Sequence, residues 1–165
     1  MTKAMIKLRI AQKEDQKLLE YWDTKKHVID CAPNDEIDWE EELNRNVDWQ
    51  EILIAELDAR PIGVLVNIDP QLESSHYWGK VEANKRALDI WIGEESDLGK
   101  GYGTVMMELM FDRCFKIQKA NSILIDPLSS NTKAIKFYKK LGFEFVEERI
   151  FDQDLCTVLE KKRGR

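Results

Sequence analysis

Leu98-Gly99-Lys100-Gly101-Tyr102-Gly103-Thr104 is the stretch that decides how this chain is read. It follows a strand-like run, Arg86-Ala-Leu-Asp-Ile-Trp-Ile-Gly93, and opens a long apolar segment from Val105 to Phe115. Three alternating glycines between a strand and a helix let the backbone turn sharply and present bare N–H groups to an anion. The partial positive charge of a helix N-terminus adds to that attraction. A phosphate-bearing ligand is the first expectation; a glycine-rich turn with no ligand is its alternative.

Spacing separates the kinds of phosphate loop. A nucleotide-hydrolase loop needs Gly, four residues, then Gly-Lys-Ser/Thr. Here five residues part Gly93 from Gly99-Lys100, and Gly101 stands where Ser or Thr would hold magnesium. The dinucleotide fingerprint G-x-G-x-x-G fails as well, because the alternating Gly99, Gly101 and Gly103 have no glycine three residues further on. The run resembles instead the pyrophosphate loop of the GNAT N-acetyltransferase superfamily, Arg/Gln-x-x-Gly-x-Gly/Ala. Gly101 and Gly103 match its glycines, while Leu98 stands where the pattern has Arg or Gln.

A second segment points the same way. Ile125-Asp-Pro-Leu-Ser-Ser-Asn131 runs into Thr132-Lys-Ala-Ile-Lys-Phe-Tyr-Lys-Lys-Leu-Gly-Phe143. The pattern Asn-x-x-Ala-x-x-x-Tyr-x-Lys-x-Gly-Phe resembles the C-terminal half of the GNAT coenzyme A site. Ser130 or Asn131 can cap a helix and Gly142 can end it. Ala134, Ile135, Tyr138 and Leu141 then share one face, with Lys133, Lys136 and Lys140 largely on the other. Read without the resemblance, Tyr138 is a core aromatic.

Composition bounds the answer. A chain of 165 residues, 43% of them hydrophobic, suits a single domain over 1–165 with a sizeable core. No apolar run is long enough to span a membrane, and Met1-Thr-Lys-Ala-Met-Ile-Lys begins a strand-like alternation rather than a signal peptide. Cys31, Cys114 and Cys156 are odd in number and widely spaced; with only His27 and His76 beside them, no metal site is expected and a reducing cytoplasm fits. The net charge of −6 argues against a nucleic-acid partner. Between Asp30 and Asp58 eleven Asp or Glu face one base, Arg45. That run reads either as a solvated face or as an electrostatic funnel for a cationic substrate.

Along the chain, Ile6, Leu8 and Ile10 alternate as a first strand, and Glu14 to Asp23 reads as a helix with Leu18, Leu19 and Trp22 inward. Asp38 or a neighbour can cap a short helix through Leu43. Glu51 to Leu57 and Pro61 to Ile68 form a hairpin around Asp58-Ala-Arg60. After a polar, aromatic-containing loop from Asp69 to Asn84 come a strand at Ala87 to Ile92, the glycine loop and a helix to about Phe115. Ser122 to Asp126 reads as a strand, Thr132 to Leu141 as a helix, and Glu144 to Phe151 and Leu155 to Glu160 as strands joined at Asp152-Gln-Asp154. The order β-α-α-β-β-β-α-β-α-β-β resembles the mixed α/β GNAT fold, a mostly antiparallel sheet splayed around the cofactor and flanked by helices.

The resemblance implies an enzyme that moves the acetyl group of acetyl-coenzyme A to a primary amine by direct attack. The pyrophosphate would sit on the amides of Gly99, Lys100, Gly101, Tyr102, Gly103 and Thr104, with Asn131 and Tyr138 also on the cofactor. The pantetheine arm would run beside Ile90, Trp91 and Ile92, whose main chain offers amides at a regular spacing. An alkylammonium has a pKa near ~10 and must lose a proton before attack, so a nearby carboxylate is needed. The departing thiolate, with a pKa of roughly 8.5, wants a proton, and Tyr138 matches the position of the usual general acid. Asp89, inside the apolar run Ala87-Leu-Asp-Ile-Trp-Ile, is the candidate carboxylate, since a buried acid there needs a partner or a purpose.

The match narrows further. Arg86-Ala-Leu-Asp89, eight residues, then Leu98-Gly-Lys-Gly-x-Gly-Thr, together with Asp126-Pro-x-x-Ser-Asn131, resembles the aminoglycoside 6′-N-acetyltransferases over most of the chain. In that family the strand aspartate binds and deprotonates the target amine, which carries over to Asp89, and the aspartate before proline, here Asp126, lies near the aminoglycoside. Asp126 reads equally as a turn residue ahead of Pro127. Trp22, Trp39, Trp49, Tyr77 and Trp78 fall in the half where such enzymes build substrate sites; Trp78, just before the strand of Asp89, is the candidate wall. Asp35, Glu36, Glu40, Glu41 and Glu42 stand as undecided contributors. Other acceptors (a protein amino terminus or lysine, a polyamine, a siderophore hydroxylamine) and a non-catalytic coenzyme A sensor are the rival readings. A monomer or homodimer is expected.

Overall fold

A computed structural model describes residues 5–164 of the chain. Met1–Ala4, on which the reading of the N-terminus partly rests, and Arg165 lie outside the described residues. Seven strands form one sheet in the order β1-β2-β3-β4-β5-β7-β6: β1 Ile6–Ile10, β2 Gln50–Leu57, β3 Arg60–Ile68, β4 Lys85–Ile92, β5 Ser122–Ile125, β6 Glu144–Phe151 and β7 Asp154–Lys162. The helices are α1 Gln16–Trp22, α2 Lys26–Cys31, α3 Trp39–Asn44, α4 Tyr102–Phe111 and α5 Thr132–Lys140. β1 with β2, β5 with β7 and β6 with β7 are antiparallel. β4 and β5 are parallel, pairing Lys85, Arg86 and Ala87 with Ser122, Ile123 and Leu124. This is the mixed α/β architecture expected.

The chain groups into two compact units, Met1–Asn67 with Asp89–Met110, and Ile68–Leu88 with Phe111–Arg165. In the first, Leu19, Trp22, Trp39, Ile52, Ile54 and Val64 form a buried cluster, with Trp91 packed against it. The turn between β2 and β3 uses Asp58 and Ala59, both with positive φ (48° and 71°), the two-residue geometry whose twist matches the flanking strands. In the second unit, Trp78, Ala87, Leu124, Phe151, Cys156 and Val158 form the core cluster.

Local signals hold where side chains cap or cross the backbone. The Asp38 carboxylate accepts from the Glu41 N–H at 3.1 Å and opens α3; Asn131 Oδ1 accepts from the Ala134 N–H at 3.1 Å and opens α5. Two expectations change. The helix read as continuous to Phe115 is α-helical only to Phe111 and widens to a π-helix over Asp112–Ile117. α2 was not expected at all.

Candidate active site

In the first unit, β4 leads through Gly93 and a 3₁₀ turn, Glu95–Asp97, into the glycine loop and α4. Gly99 and Gly101 adopt φ of +73° and +83°, which a side chain would strain; Gly103 lies within the first turn of α4. Among the described residues, none of the amides from Gly99 to Thr104 donates to a protein acceptor. A row of such N–H groups ahead of a helix is the arrangement that takes a phosphate chain. The residues present therefore fit a pyrophosphate on main-chain grounds, without the side chain that Leu98 replaces. Leu98 itself is 39% exposed.

Asp89 is the first residue of β4 in this unit, and it is exposed rather than buried as expected. β4 buries Ala87 and Leu88 side by side, so strict alternation is lost just before Asp89. An exposed acid pays no burial cost, so Asp89 stands as a candidate by its position on β4 alone. Two carbonyls of the main chain expected to pair with pantetheine have close neighbours within the protein. His27, from α2, sits with Nε2 2.8 Å from the Ile92 carbonyl, where only an N–H can bond, and a side chain added at Gly63 of β3 would run into the Trp91 carbonyl.

Beside Trp91 lies a cleft of about 410 Å³ lined by Asp23, Val28, Asp35, Glu36 and Ile37 among others, with no Lys or Arg in its wall. Three carboxylates and an apolar floor suit a cation on a hydrophobic body. Burial pushes the Asp23 carboxyl up, against the hydrogen bond it accepts from Trp39 Nε1 at 2.6 Å, and the Glu20 charge adds to the rise. Of the acids between Asp30 and Asp58, Asp35 and Glu36 line this cleft. Asp23 and Trp39, sixteen residues apart, carried no local sequence signal as a pair.

The second unit holds Trp78, Asp126, Asn131 and Tyr138. Trp78, expected as a wall, is only 4% exposed; its indole meets Phe151 edge-on at 5.3 Å inside the core cluster. The exposed ring is that of Tyr77, stacked on Phe151 at 4.4 Å, and its hydroxyl donates to Asp126 Oδ2 at 2.6 Å. The Asp126-Pro127 turn is tied to β7 by the Thr157 N–H, which donates to the Pro127 carbonyl at 2.8 Å. The Tyr138 ring is 8% exposed and packs edge-on against Phe137 and Phe143.

Comparison with known proteins gives these features a setting. The family model described as Acetyltransferase (GNAT) domain matches residues 11–151. Aminoglycoside N(6′)-acetyltransferase type 1 of Klebsiella pneumoniae is 30% identical over 149 residues, covering 84% of this chain and 74% of that protein. A crystal structure of the aminoglycoside acetyltransferase AAC(6′)-Ib with coenzyme A superposes with a TM-score of 0.86 at 24% identity, over 96% of this chain and 95% of the other. An aminoglycoside N(6′)-acetyltransferase from Legionella pneumophila superposes at 0.76 with 22% identity, over 99% and 95%. The chain belongs to the GNAT acetyltransferase family, whose members draw the acetyl group from acetyl-coenzyme A.

Proposed function

We propose that the protein transfers the acetyl group of acetyl-coenzyme A to the 6′-amine of an aminoglycoside. The observation that carries the acceptor is the cleft beside Trp91, where Asp23, Asp35 and Glu36 supply three carboxylates and the lining includes no Lys or Arg. A polycationic aminosugar brings several ammonium groups to such a wall, and the names of the relatives at 30% identity support the same acceptor.

Acetyl-coenzyme A supplies an activated thioester. The amides of Gly99 to Thr104 take its pyrophosphate, the β4 main chain at Ile90 to Ile92 is assigned to the pantetheine arm, and Asn131 is assigned to the cofactor. Asp89, exposed on β4, holds the reacting ammonium and takes its proton, directly or through water, so that a neutral amine attacks. Tyr138 returns a proton to the departing sulfur. Asp126, held by the Tyr77 hydroxyl, offers a second anionic contact to the sugar, and Tyr77 rather than Trp78 is the aromatic surface beside it. Three widely spaced cysteines support a reducing, cytoplasmic setting.

Free-thiol release from acetyl-coenzyme A, with kanamycin, tobramycin, spermidine and a lysine peptide as separate acceptors, tests the reading. Turnover with the two aminoglycosides alone is expected. Turnover with spermidine or the peptide but neither aminoglycoside overturns the acceptor, and silence with all four while coenzyme A binds overturns all of these acceptors and keeps the fold.

A further inference from the structure

The glycine loop begins immediately after Asp97, a carboxylate that is 3% exposed. A buried negative charge next to a pyrophosphate-binding loop is unfavourable unless it is paired and used. Asp97 is gripped on both oxygens by one residue: Arg60 Nη1 lies 2.9 Å from Oδ2 and Nη2 3.1 Å from Oδ1. Such a two-toothed pair fixes direction as well as distance. Arg60 is the first residue of β3, directly after the tight Asp58-Ala59 turn, and the Asp58 N–H of that turn donates to the carbonyl of Met5, just ahead of β1, at 3.0 Å.

The same strand grips the other end of the segment. The Gly93 N–H donates to the Ile62 carbonyl at 2.9 Å, two residues along β3 from Arg60. Between these points the chain turns tightly, with Asp97 N–H to Glu94 O and Leu98 N–H to Glu95 O each at 3.0 Å. β3 thus holds both ends of the turn from Gly93 to Asp97, and the loop leaves that frame with its first residue aimed.

We propose that Arg60 is a positioning residue for recognition of the pyrophosphate: through Asp97 it sets the angle at which the amides of Gly99 to Thr104 face the ligand, and it cancels the carboxylate charge beside them. The inference rests on the acetyltransferase reading of the loop and adds a side chain to it. Arg60 acts through its contact with Asp97 and is assigned no contact with the ligand.

The test uses the whole chain and two donors, acetyl-coenzyme A and S-acetylpantetheine, which lacks the pyrophosphate, with calorimetric binding of coenzyme A as a readout independent of turnover. For Arg60→Gln, coenzyme A affinity and kcat/KM with acetyl-coenzyme A should fall about tenfold, while kcat/KM with S-acetylpantetheine and KM for the amine stay as in the wild type. Arg60→Lys, which keeps the charge and one bond, should fall between the two and serves if the glutamine variant folds poorly. Asp97→Asn combined with Arg60→Gln should cost no more than Arg60→Gln alone, because both act through one contact. Unchanged coenzyme A affinity in both Arg60 variants, or equal loss with the two donors, overturns the proposal. A wild-type protein that does not bind coenzyme A overturns the reading of the loop and this inference with it.

Discussion

Asp97 and Asp23 are carboxylates of the same compact unit, each at the C-terminal end of a short helical element, and the protein treats them in opposite ways. Asp97 meets the Arg60 guanidinium, whose hydrogen bonds hold its carboxyl below the usual range although burial opposes them. Asp23 meets a neutral donor, the Trp39 indole, and burial holds its carboxyl above the usual range. One negative charge is cancelled from within; the other has a neutral donor for its partner. A cation entering the cleft beside Asp23 relieves a carboxylate that is otherwise poorly solvated, whereas a cation near Asp97 finds the place taken. These two acids differ in their partners, a guanidinium for Asp97 and a neutral indole for Asp23.

A third acid extends the comparison and gives the largest expected effect. Asp89 is exposed, and its proposed partner is the reacting amine itself. Asp89→Asn should lower kcat by about 10²-fold or more while calorimetric affinity for coenzyme A is unchanged. Parallel losses in both would make it structural. The next effect comes from removing the neutral donor. Trp39→Phe deletes the N–H given to Asp23, and it should cost about 1–3 kcal/mol in urea unfolding and raise KM for the amine several-fold. An unaltered KM would detach Asp23 from the acceptor.

The smallest effects are in stability against pH, and they carry opposite signs. With its folded pKa lowered, Asp97 contributes stability above the unfolded carboxylate value of ~3.9 and loses it as the pH falls through the folded value. With its folded pKa raised, Asp23 contributes fully below ~3.9 and loses its contribution as the pH rises through the folded value. Relative to wild type at pH 7, Asp97→Asn should therefore be less stable and Asp23→Asn more stable, both differences closing in acid. Urea midpoints across that range check this, and shifts of one sign for both variants would erase the distinction.

What could be read from the residues alone was whatever is local. The glycine loop, the caps at Asp38 and Asn131, the β2–β3 turn and the polar and apolar faces of α5 each lie within a few neighbours of one another, and each is found in place. α2 escaped because it spans six residues, has no side-chain cap and buries only Val28, so no periodicity accumulates. The exchange of Trp78 for Tyr77 escaped because burial there depends on Phe151 and Cys156, more than seventy residues away. Asp89 looked buried because apolar neighbours on a strand imply a core only while the alternation holds. The Asp23–Trp39 and Arg60–Asp97 pairs are tertiary, and no spacing rule announces them.

The interleaving of the two units bears on how the chain is made. The loop-bearing unit is drawn wholly from residues up to Met110, all of which are made before the remainder of the other unit. The other unit cannot follow step by step: β7, which emerges after β6, lies between β5 and β6 in the sheet. Until it arrives, β5 and β6 have no bonds to each other and both present raw edges to neighbouring nascent chains. A chain that ends within Asp152–Asp154 therefore contains the whole phosphate loop but lacks the strand that joins β5 to β6 in the sheet.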